Sequence, residues 1–228
     1  MEPHTTLVIG ASRGIGKELV RQLSSIPSEH VIATIRDSSS PTTNLQDVQY
    51  LTLDLQNPQS ILNAATKVPS IDTLIINGAI GDNERLVSTN TQRMEEYMST
   101  NVLGPLRVVQ AFLPALKARK TRKIILISSY CGSFSIQNAG LCGWGGPYAV
   151  SKAAANMLAV QLHRELRPEG FTVVPLHPGN VATDMGNIGG GGGTPVCEAV
   201  GNILRTIGGI TLEESGGFLS YDGEVIPW

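Results

Sequence analysis

Apolar residues along the chain follow two alternating patterns. Short apolar or β-rich runs predict strands at 5–9, 31–35, 50–55, 71–76, 123–128, 171–176 and 217–220. Those at 71–76 and 123–128 are typical of buried strands, covered on both faces. Between the predicted strands, apolar residues recur every three or four positions, which predicts helices at 15–23, from 58 onward, and at 91–116, 147–166 and 196–206. This alternation predicts an α/β fold, a doubly wound parallel sheet of about seven strands with helices on both faces.

The composition is that of one globular domain spanning 1–228. Of the 228 residues, 41% are hydrophobic and 16% are charged, and this balance excludes a disordered chain. The formal net charge of −2 argues against nucleic acid or an anionic membrane as the main partner. The sequence has no run of roughly 18 apolar residues that would predict a membrane span, and no N-terminal signal-peptide pattern.

The three cysteines are scattered and lack metal-binding spacing. Cys131, Cys142 and Cys197 form no C-x-x-C pair and are odd in number, so free thiols in a reducing compartment are the expected state. We therefore predict a cytoplasmic protein without a metal site.

Glycine is abundant, with 25 residues, and one cluster follows the first predicted strand. That loop, the glycine loop, reads Gly10-Ala11-Ser12-Arg13-Gly14-Ile15-Gly16 and leads into the first helix. Glycine permits a tight turn and close approach of the backbone, while the helix N-terminus offers free N–H groups to a pyrophosphate. The loop therefore predicts a dinucleotide site, with a turn that binds no ligand as the alternative.

The end of the second predicted strand bears on the choice of cofactor. An NAD site usually carries an acidic residue here, which binds the ribose 2′-hydroxyl. This chain has Ile35 at that position, then Arg36 and a Ser/Pro/Thr-rich loop. A guanidinium suits a 2′-phosphate, and Arg13 can assist it, so we predict NADP(H) in preference to NAD(H). A small shift of register would instead place the acid Asp37 there.

Four polar residues are candidates for catalysis. Tyr148 and Lys152 are four positions apart on a predicted helix and share one of its faces. Free tyrosine has a pKa of about 10, and a nearby ammonium and a positively charged nicotinamide would favour its phenolate. Ser129 ends a predicted strand, where a hydroxyl can hold a substrate carbonyl, and Asn101 is a polar residue among apolar helical neighbours. Taken alone, the Tyr-x-x-x-Lys spacing is common on helix surfaces.

Together these motifs resemble the short-chain dehydrogenase/reductase family over essentially the whole chain. Asp54 after the third strand and Pro178-Gly179 after the sixth add to the match, and segments 177–186 and 216–223 resemble its C-factor and sniffer-like carbonyl reductase branch. The resemblance implies a Rossmann fold that assembles as a homodimer or homotetramer. It also implies a catalytic tetrad, called the tetrad below, of Asn101, Ser129, Tyr148 and Lys152.

The resemblance further implies a role for each of these residues. Tyr148 is the general acid or base, Ser129 polarises the carbonyl, Lys152 holds the ribose and lowers the tyrosine pKa, and Asn101 supports a proton-relay water. The cofactor-binding residues suggested by the loop, by Arg36 and by the resemblance are Gly10, Ser12, Arg13, Gly14, Ile15, Gly16, Arg36, Asp54, Leu55, Asn77, Gly78, Ala79, Tyr148, Lys152, Pro178, Gly179, Val181 and Thr183.

Three features depart from the family pattern. Ile9 stands where a threonine or serine usually precedes the glycine loop. The usual Asn-Asn-Ala-Gly after the fourth strand reads Ile76-Asn77-Gly78-Ala79, which leaves open how this strand meets the cofactor and the central helix. Between Ser129 and Tyr148 lie 18 residues, and their stretch 133–146 is predicted either as part of the substrate wall or as a solvated loop.

Five consecutive glycines, 189–193, fall where this family carries a mobile substrate lid. We predict a lid at 186–206 that closes over cofactor and substrate and excludes water. A flexible linker is the alternative.

The leading functional hypothesis is an NADPH-dependent oxidoreductase that reduces a carbonyl to an alcohol, or the reverse. Its substrate would be a small molecule, a carbonyl compound or an alcohol, whose identity the sequence does not give. One alternative keeps the fold for non-redox chemistry, as an isomerase, lyase or cyclase. Another is a catalytically silent NADPH-binding protein, against which the complete tetrad argues.

Overall fold

The computed structural model, which describes residues 2–37, 45 and 47–228, contains one sheet. Its strands are β1 (His4–Ile9), β2 (Glu29–Ile35), β3 (Val48–Thr52), β4 (Thr73–Ile76), β5 (Lys123–Ile127), β6 (Thr172–His177) and β7 (Leu219–Ser220). Within the described residues these seven strands pair in parallel in the order β3-β2-β1-β4-β5-β6-β7. Most of the Ser/Pro/Thr-rich loop predicted after β2 lies outside the described residues.

Helices cover both faces of this sheet, which confirms the predicted doubly wound Rossmann fold. They are α1 (Gly14–Leu23), α2 (Pro58–Ala65), α3 (Thr91–Met98), α4 (Gly104–Lys117), α5 (Phe134–Asn138), α6 (Gly146–Leu166) and α7 (Val196–Gly209). The core around Phe112 joins α2, α4 and α6 to one face, and the core around Val200 joins α1 and α7 to the other. Because side chains alternate along a strand, β1 supplies Leu7 and Ile9 to the first core and Val8 to the second.

The strand order reverses between β1 and β4. β1 pairs with β2 on one side and with β4 on the other, so a crevice opens beyond the carboxyl ends of β1 and β4. The loops that follow these two strands are joined there, because the N–H groups of Asn77 and Gly78 both donate to the carbonyl of Ile9. The fold therefore places the glycine loop and the loop after β4 at the edge where ligands bind.

The helix predicted over 91–116 is interrupted, so the prediction of one continuous helix is wrong there. α3 and α4 are joined by a π-helical turn, Ser99–Leu103, after which the N–H of Gly104 donates to the carbonyl of Ser99. The next residue, Pro105, has no N–H to continue the α-helical pattern. The widened turn holds Asn101, and π-turns are frequent at functional sites.

Other boundaries also differ from the predicted ones. β3 ends early, because the carboxylate of Asp54 accepts the N–H of Gln56 and forms a turn. β4 begins late, because the N–H of Ile71 donates to the Ala115 carbonyl at the end of α4. The stretch 133–146 begins with the short helix α5, whose first turn is capped by the hydroxyl of Ser133.

No helix in the described part of the chain is both long and apolar enough to cross a bilayer. Nor do three His, Cys, Asp or Glu side chains gather among the described residues in a way that could hold a metal ion.

Candidate active site

Helix α6 and the end of β5 bring three of the four tetrad residues together. Tyr148 and Lys152 lie one turn apart near the start of α6, and their exposed fractions are only 6% and 5%. The Lys152 ammonium donates to the Ile127 carbonyl at 3.0 Å and lies 5.7 Å from the centre of the Tyr148 ring. Ser129 follows β5, and its hydroxyl lies close enough to the Tyr148 side chain to lower the pKa of that phenol.

Asn101 lies in the π-helical turn and connects three parts of the site. Its amide accepts the N–H of Ile80 and donates to the Ile80 carbonyl, both at 2.9 Å, and it also donates to the hydroxyl of Ser151 at 2.9 Å. Ile80 follows β4, and Ser151 lies on α6 next to Lys152. Asn101 and Lys152 line the same small cavity. The fourth tetrad residue is thus placed behind Lys152, where it ties α6 to the loop after β4.

Burial controls the protonation of the tetrad. Burial raises the pKa of Tyr148, and the hydrogen bond from Ser129 opposes this only in part. Burial also lowers the pKa of Lys152 to about 8. Without a bound cofactor, the phenol therefore keeps its proton near neutral pH. The downward shift expected from the ammonium together with a bound, positively charged nicotinamide stays a prediction.

The glycine loop leaves room that a side chain would fill. Gly10 has a φ of +83°, and a Cβ there would lie 2.6 Å from the Cα of Gly78. A Cβ on Gly16 would lie 2.1 Å from the Gly10 carbonyl oxygen, which accepts a hydrogen bond from the Asn77 amide at 2.8 Å. Of the three glycines predicted from the sequence, Gly10 and Gly16 are therefore required by the close packing of the backbone.

The N-terminus of α1 has the chemistry of an anion site. Arg13 at the N-cap makes no side-chain capping bond, and the first turn of α1 contains no acidic residue. The first N–H groups of the helix are therefore available to an anion. Ser12, Gly14 and Ile15 belong to this same turn, and Thr183 packs beside Gly14. The residues around the glycine loop fit a pyrophosphate.

The departures from the family pattern have structural compensations. Ile9 is buried in the core, and the hydroxyl at this turn comes instead from Thr34 on β2, which accepts the N–H of Gly10 at 3.1 Å. Gly78 fits against Leu55, since a Cβ there would lie 2.9 Å from that side chain. The loop after β4 still reaches the central helix, one residue beyond Ala79, through the Ile80–Asn101 bonds.

The predicted adenine side of the site is more open. Arg36 is exposed at the end of β2, next to Asp37. Arg13 is also exposed and forms a salt bridge with Asp184 at 2.8 Å, in which the two side chains are 71% and 80% exposed. An exposed pair of this kind contributes about 0–1 kcal/mol, so Arg13 is free to exchange Asp184 for another anion. Asp54 and Leu55 follow β3 at the edge of the sheet, and the Leu55 side chain packs against Gly78.

The segment after β6 borders the other end of the crevice. Gly179 has a φ of +84° and packs against the ring of Tyr221. Pro178 precedes it, Val181 is buried, and the Thr183 hydroxyl accepts the N–H of Gly186 at 3.0 Å. These residues therefore form an ordered turn at the carboxyl edge of the sheet.

The stretch predicted as a lid, 186–206, has two parts in the structure. Thr194 pairs with Val181, and the helix that follows it buries Val200 in the core. Residues 186–193 form the loop between these fixed points, and three of its glycines have positive φ. The lid hypothesis therefore concerns 186–193 alone, which we call the lid loop.

Sequence reasoning placed Trp144 in a stretch that could form a substrate wall, but it missed how closely Trp144, Gly81 and Met185 surround the tyrosine. Trp144 meets the Tyr148 ring edge-on, with ring centres 5.3 Å apart. A Cβ on Gly81 would lie 2.9 Å from the Tyr148 ring and 3.0 Å from the Met185 sulphur, so Gly81 keeps a gap between them. No periodic pattern marks these residues, since they come from three separate loops.

The buried Lys152 gives a prediction about stability. Its pKa of about 8 lies below the value of about 10.4 expected in the unfolded chain. Below pH 8 the ammonium is charged in both states, so its desolvation opposes folding in full, and this cost disappears as the pH rises from 8 to about 10.4. Lys152→Met is expected to raise the free energy of unfolding at pH 7 by about 1–3 kcal/mol and to give no gain near pH 10.5.

Urea unfolding at pH 7 and pH 10.5 checks this prediction. The control is Lys67→Met, because Lys67 is an exposed lysine whose removal should change stability by less than about 0.5 kcal/mol at either pH. A Lys152→Met protein that is less stable than the unsubstituted protein at pH 7 would contradict it.

Comparisons with known proteins agree with this geometry. A family model described as short chain dehydrogenase matches residues 4–188. C-signal of Myxococcus xanthus is 42% identical over 135 residues, which are 59% of this chain and 78% of that protein.

Two solved structures are similar over nearly their whole length. The NADPH-bound carbonyl reductase from chicken fatty liver is 30% identical with a TM-score of 0.89 and covers 100% of this chain and 95% of its own. The carbonyl reductase Sniffer of D. melanogaster is 29% identical with a TM-score of 0.87 and covers 99% of this chain and 100% of its own. The predicted resemblance, including its C-factor and sniffer-like branch, is confirmed. The chain belongs to the short-chain dehydrogenase family.

Proposed function

We propose that this protein is an NADPH-dependent carbonyl reductase, which reduces a carbonyl to an alcohol or catalyses the reverse oxidation. The observation that carries the proposal is the convergence of Asn101, Ser129, Tyr148 and Lys152 beside the glycine loop. The similarity to two solved carbonyl reductases supports it.

Each tetrad residue has a proposed part in the reaction. NADPH, when bound, supplies the hydride. Ser129 donates a hydrogen bond to the substrate carbonyl oxygen, and Tyr148 gives that oxygen its proton, since burial keeps the phenol protonated. Lys152 holds the ribose. A water in the small cavity that Asn101 and Lys152 share would return a proton to the tyrosine.

The cofactor-binding residues are proposed along the edge of the sheet. The turn formed by Gly10, Ser12, Gly14, Ile15 and Gly16 would hold the pyrophosphate. The adenosine half would contact Arg36, Asp54, Leu55, Asn77, Gly78 and Ala79, and the nicotinamide half Pro178, Gly179, Val181 and Thr183. Arg36 would bind the 2′-phosphate, and Arg13 would help once it leaves Asp184. These contacts favour NADP(H) over NAD(H).

The substrate would be a carbonyl compound with an apolar substituent. Trp144 and Met185 flank the tyrosine with apolar surface, and Gly81 keeps the space between them open. The lid loop adjoins Met185 and would close over the substrate to exclude water.

Assembly and location complete the proposal. We propose a homodimer or homotetramer formed through the long helices near 91–116 and 147–166. Leu103, Val150 and Met157 expose apolar side chains there, which supports pairing of these helices. The cytoplasm remains the proposed location, in keeping with three unpaired cysteines.

The tyrosine is the direct test of the proposed chemistry. Tyr148→Phe removes the proton donor but keeps the ring, so reductase turnover with NADPH should fall by about 10²–10⁴-fold. Cofactor binding, followed by NADPH fluorescence, should persist. Tyr221→Phe, which removes a hydroxyl outside the tetrad, is the matched control. Full activity in Tyr148→Phe would refute the assignment.

The preference for NADPH is tested at the end of β2. Arg36→Ala should weaken NADPH binding by about 10–100-fold, the effect of losing charge-assisted hydrogen bonds, and should leave NADH binding nearly unchanged. Calorimetric titration with both cofactors measures this difference. Arg205→Ala, at an exposed arginine of α7, controls for net charge. Equal losses for both cofactors would show that Arg36 does not read the 2′-phosphate.

A further inference from the structure

Two cysteines meet across the long loop between Ser129 and Tyr148. The sulphur atoms of Cys131 and Cys142 are 2.6 Å apart, although the residues are separated by 11 positions. Cys131 is buried and Cys142 is half-buried, so small molecules in solvent have a route to the second thiol. Cys197 is exposed elsewhere, beside Arg21 on α1. The pair has no local sequence signal, since it depends on how the loop turns back.

The loop is built to hold these thiols together. Gln137 on α5 donates from one side-chain amide to the carbonyls of Cys131, at 3.2 Å, and Trp144, at 2.8 Å. The two arms of the loop are thereby joined a short distance from the sulphur atoms. A covalent S–S bond is about 2.05 Å long, so a small movement within this frame suffices to form one.

The thiol pair also touches the tetrad. The N–H of Cys131 donates to the hydroxyl of Ser129 at 3.2 Å. Cys131 packs with Tyr148 in one buried cluster, against which Cys142 and Trp144 are also packed. A bond between the sulphur atoms would therefore link the turn that carries Ser129 to the segment that contacts Tyr148.

We propose that Cys131 and Cys142 are a redox-active pair that a hydroperoxide converts into a disulfide, and that this disulfide restrains the substrate side of the active site. The bond would fix the loop that places Trp144 against Tyr148. No residue of the glycine loop belongs to the cluster around these cysteines, so its cofactor contacts would be kept.

The chemistry balances with the hydroperoxide as the sole oxidant. The thiolate of Cys142 attacks one peroxide oxygen, the O–O bond breaks, and the alcohol (or water) leaves with a sulfenic acid formed at Cys142. The Cys131 sulphur then attacks that sulphur, the S–O bond breaks, and the hydroxide departs as water with the Cys131 proton. Two thiols and one hydroperoxide thus give one disulfide, one alcohol and one water, and a dithiol reductant reverses the oxidation.

The hydrogen bond and the burial of the two thiols favour attack by Cys142 before Cys131. The hydrogen bond between the two sulphur atoms lowers the pKa of Cys142, which is also the more accessible thiol, so Cys142 is the one that ionises first. The same hydrogen bond and burial raise the pKa of Cys131. The nucleophile and the resolving thiol are therefore distinct.

Thiol mapping tests the bond without any need for a substrate. The reduced protein is exposed to equimolar hydrogen peroxide, then unfolded in urea, alkylated with N-ethylmaleimide and digested for mass spectrometry. The proposal requires alkylation at Cys197 alone and a linked Cys131–Cys142 peptide, whereas the untreated protein alkylates at all three. Cys197→Ser should preserve the link, and Cys142→Ser should abolish it. Three free thiols after peroxide, or a link that involves Cys197, would overturn the proposal.

Activity measures the restraint. In the linked protein, turnover of the carbonyl substrate should fall by roughly tenfold or more, and dithiothreitol should restore it. The affinity for NADPH should stay unchanged. Cys142→Ser should keep its turnover through the same treatment. Unchanged turnover in fully linked protein would refute the restraint. Because the mapping needs no turnover, its result stands apart from the fate of the proposed reductase activity.

Discussion

One buried amide holds the active site together. Asn101 is 2% exposed, and its side-chain amide bonds to two partners, the backbone of Ile80 and the hydroxyl of Ser151. These bonds join the π-helical turn between α3 and α4 to the loop after β4 and to α6. A buried amide left unpaired costs about 1–3 kcal/mol, so this geometry is strongly specified. Since α6 carries Tyr148 and Lys152, the position of the proposed chemistry depends on these bonds.

The widened helical turn and the buried lysine both reduce stability, and both place a polar group at the proposed active site. The turn Ser99–Leu103 gives up regular α-helical bonds so that Asn101 can face the site. Lys152 gives up hydration and keeps one carbonyl partner, Ile127. Each feature is unfavourable for folding taken alone, and each places a polar group where a carbonyl reductase would need it. The two cores on either face of the sheet supply the stability that offsets them.

Much of this arrangement could be predicted from the sequence. The alternation of strand and helix patterns predicted a parallel sheet, and the spacing of Tyr148 and Lys152 predicted that they share a helix face. What the sequence did not show depends on contacts between distant segments. The partners of Asn101 lie 21 and 50 positions away, so the local sequence did not show what Asn101 would bind. The hydroxyl that replaces the one missing at Ile9 comes from Thr34 on another strand.

The central claim is that this chain moves hydride from NADPH to a carbonyl carbon beside Tyr148. The most direct measurement is turnover of an aromatic ketone or aldehyde with NADPH deuterated at C4 of the nicotinamide, on one face or the other, with the product examined by mass spectrometry. The account predicts that one of the two labelled cofactors places a single deuterium on the carbinol carbon of the alcohol. Product that carries no deuterium from either cofactor, or turnover that leaves NADPH unoxidised, would contradict it.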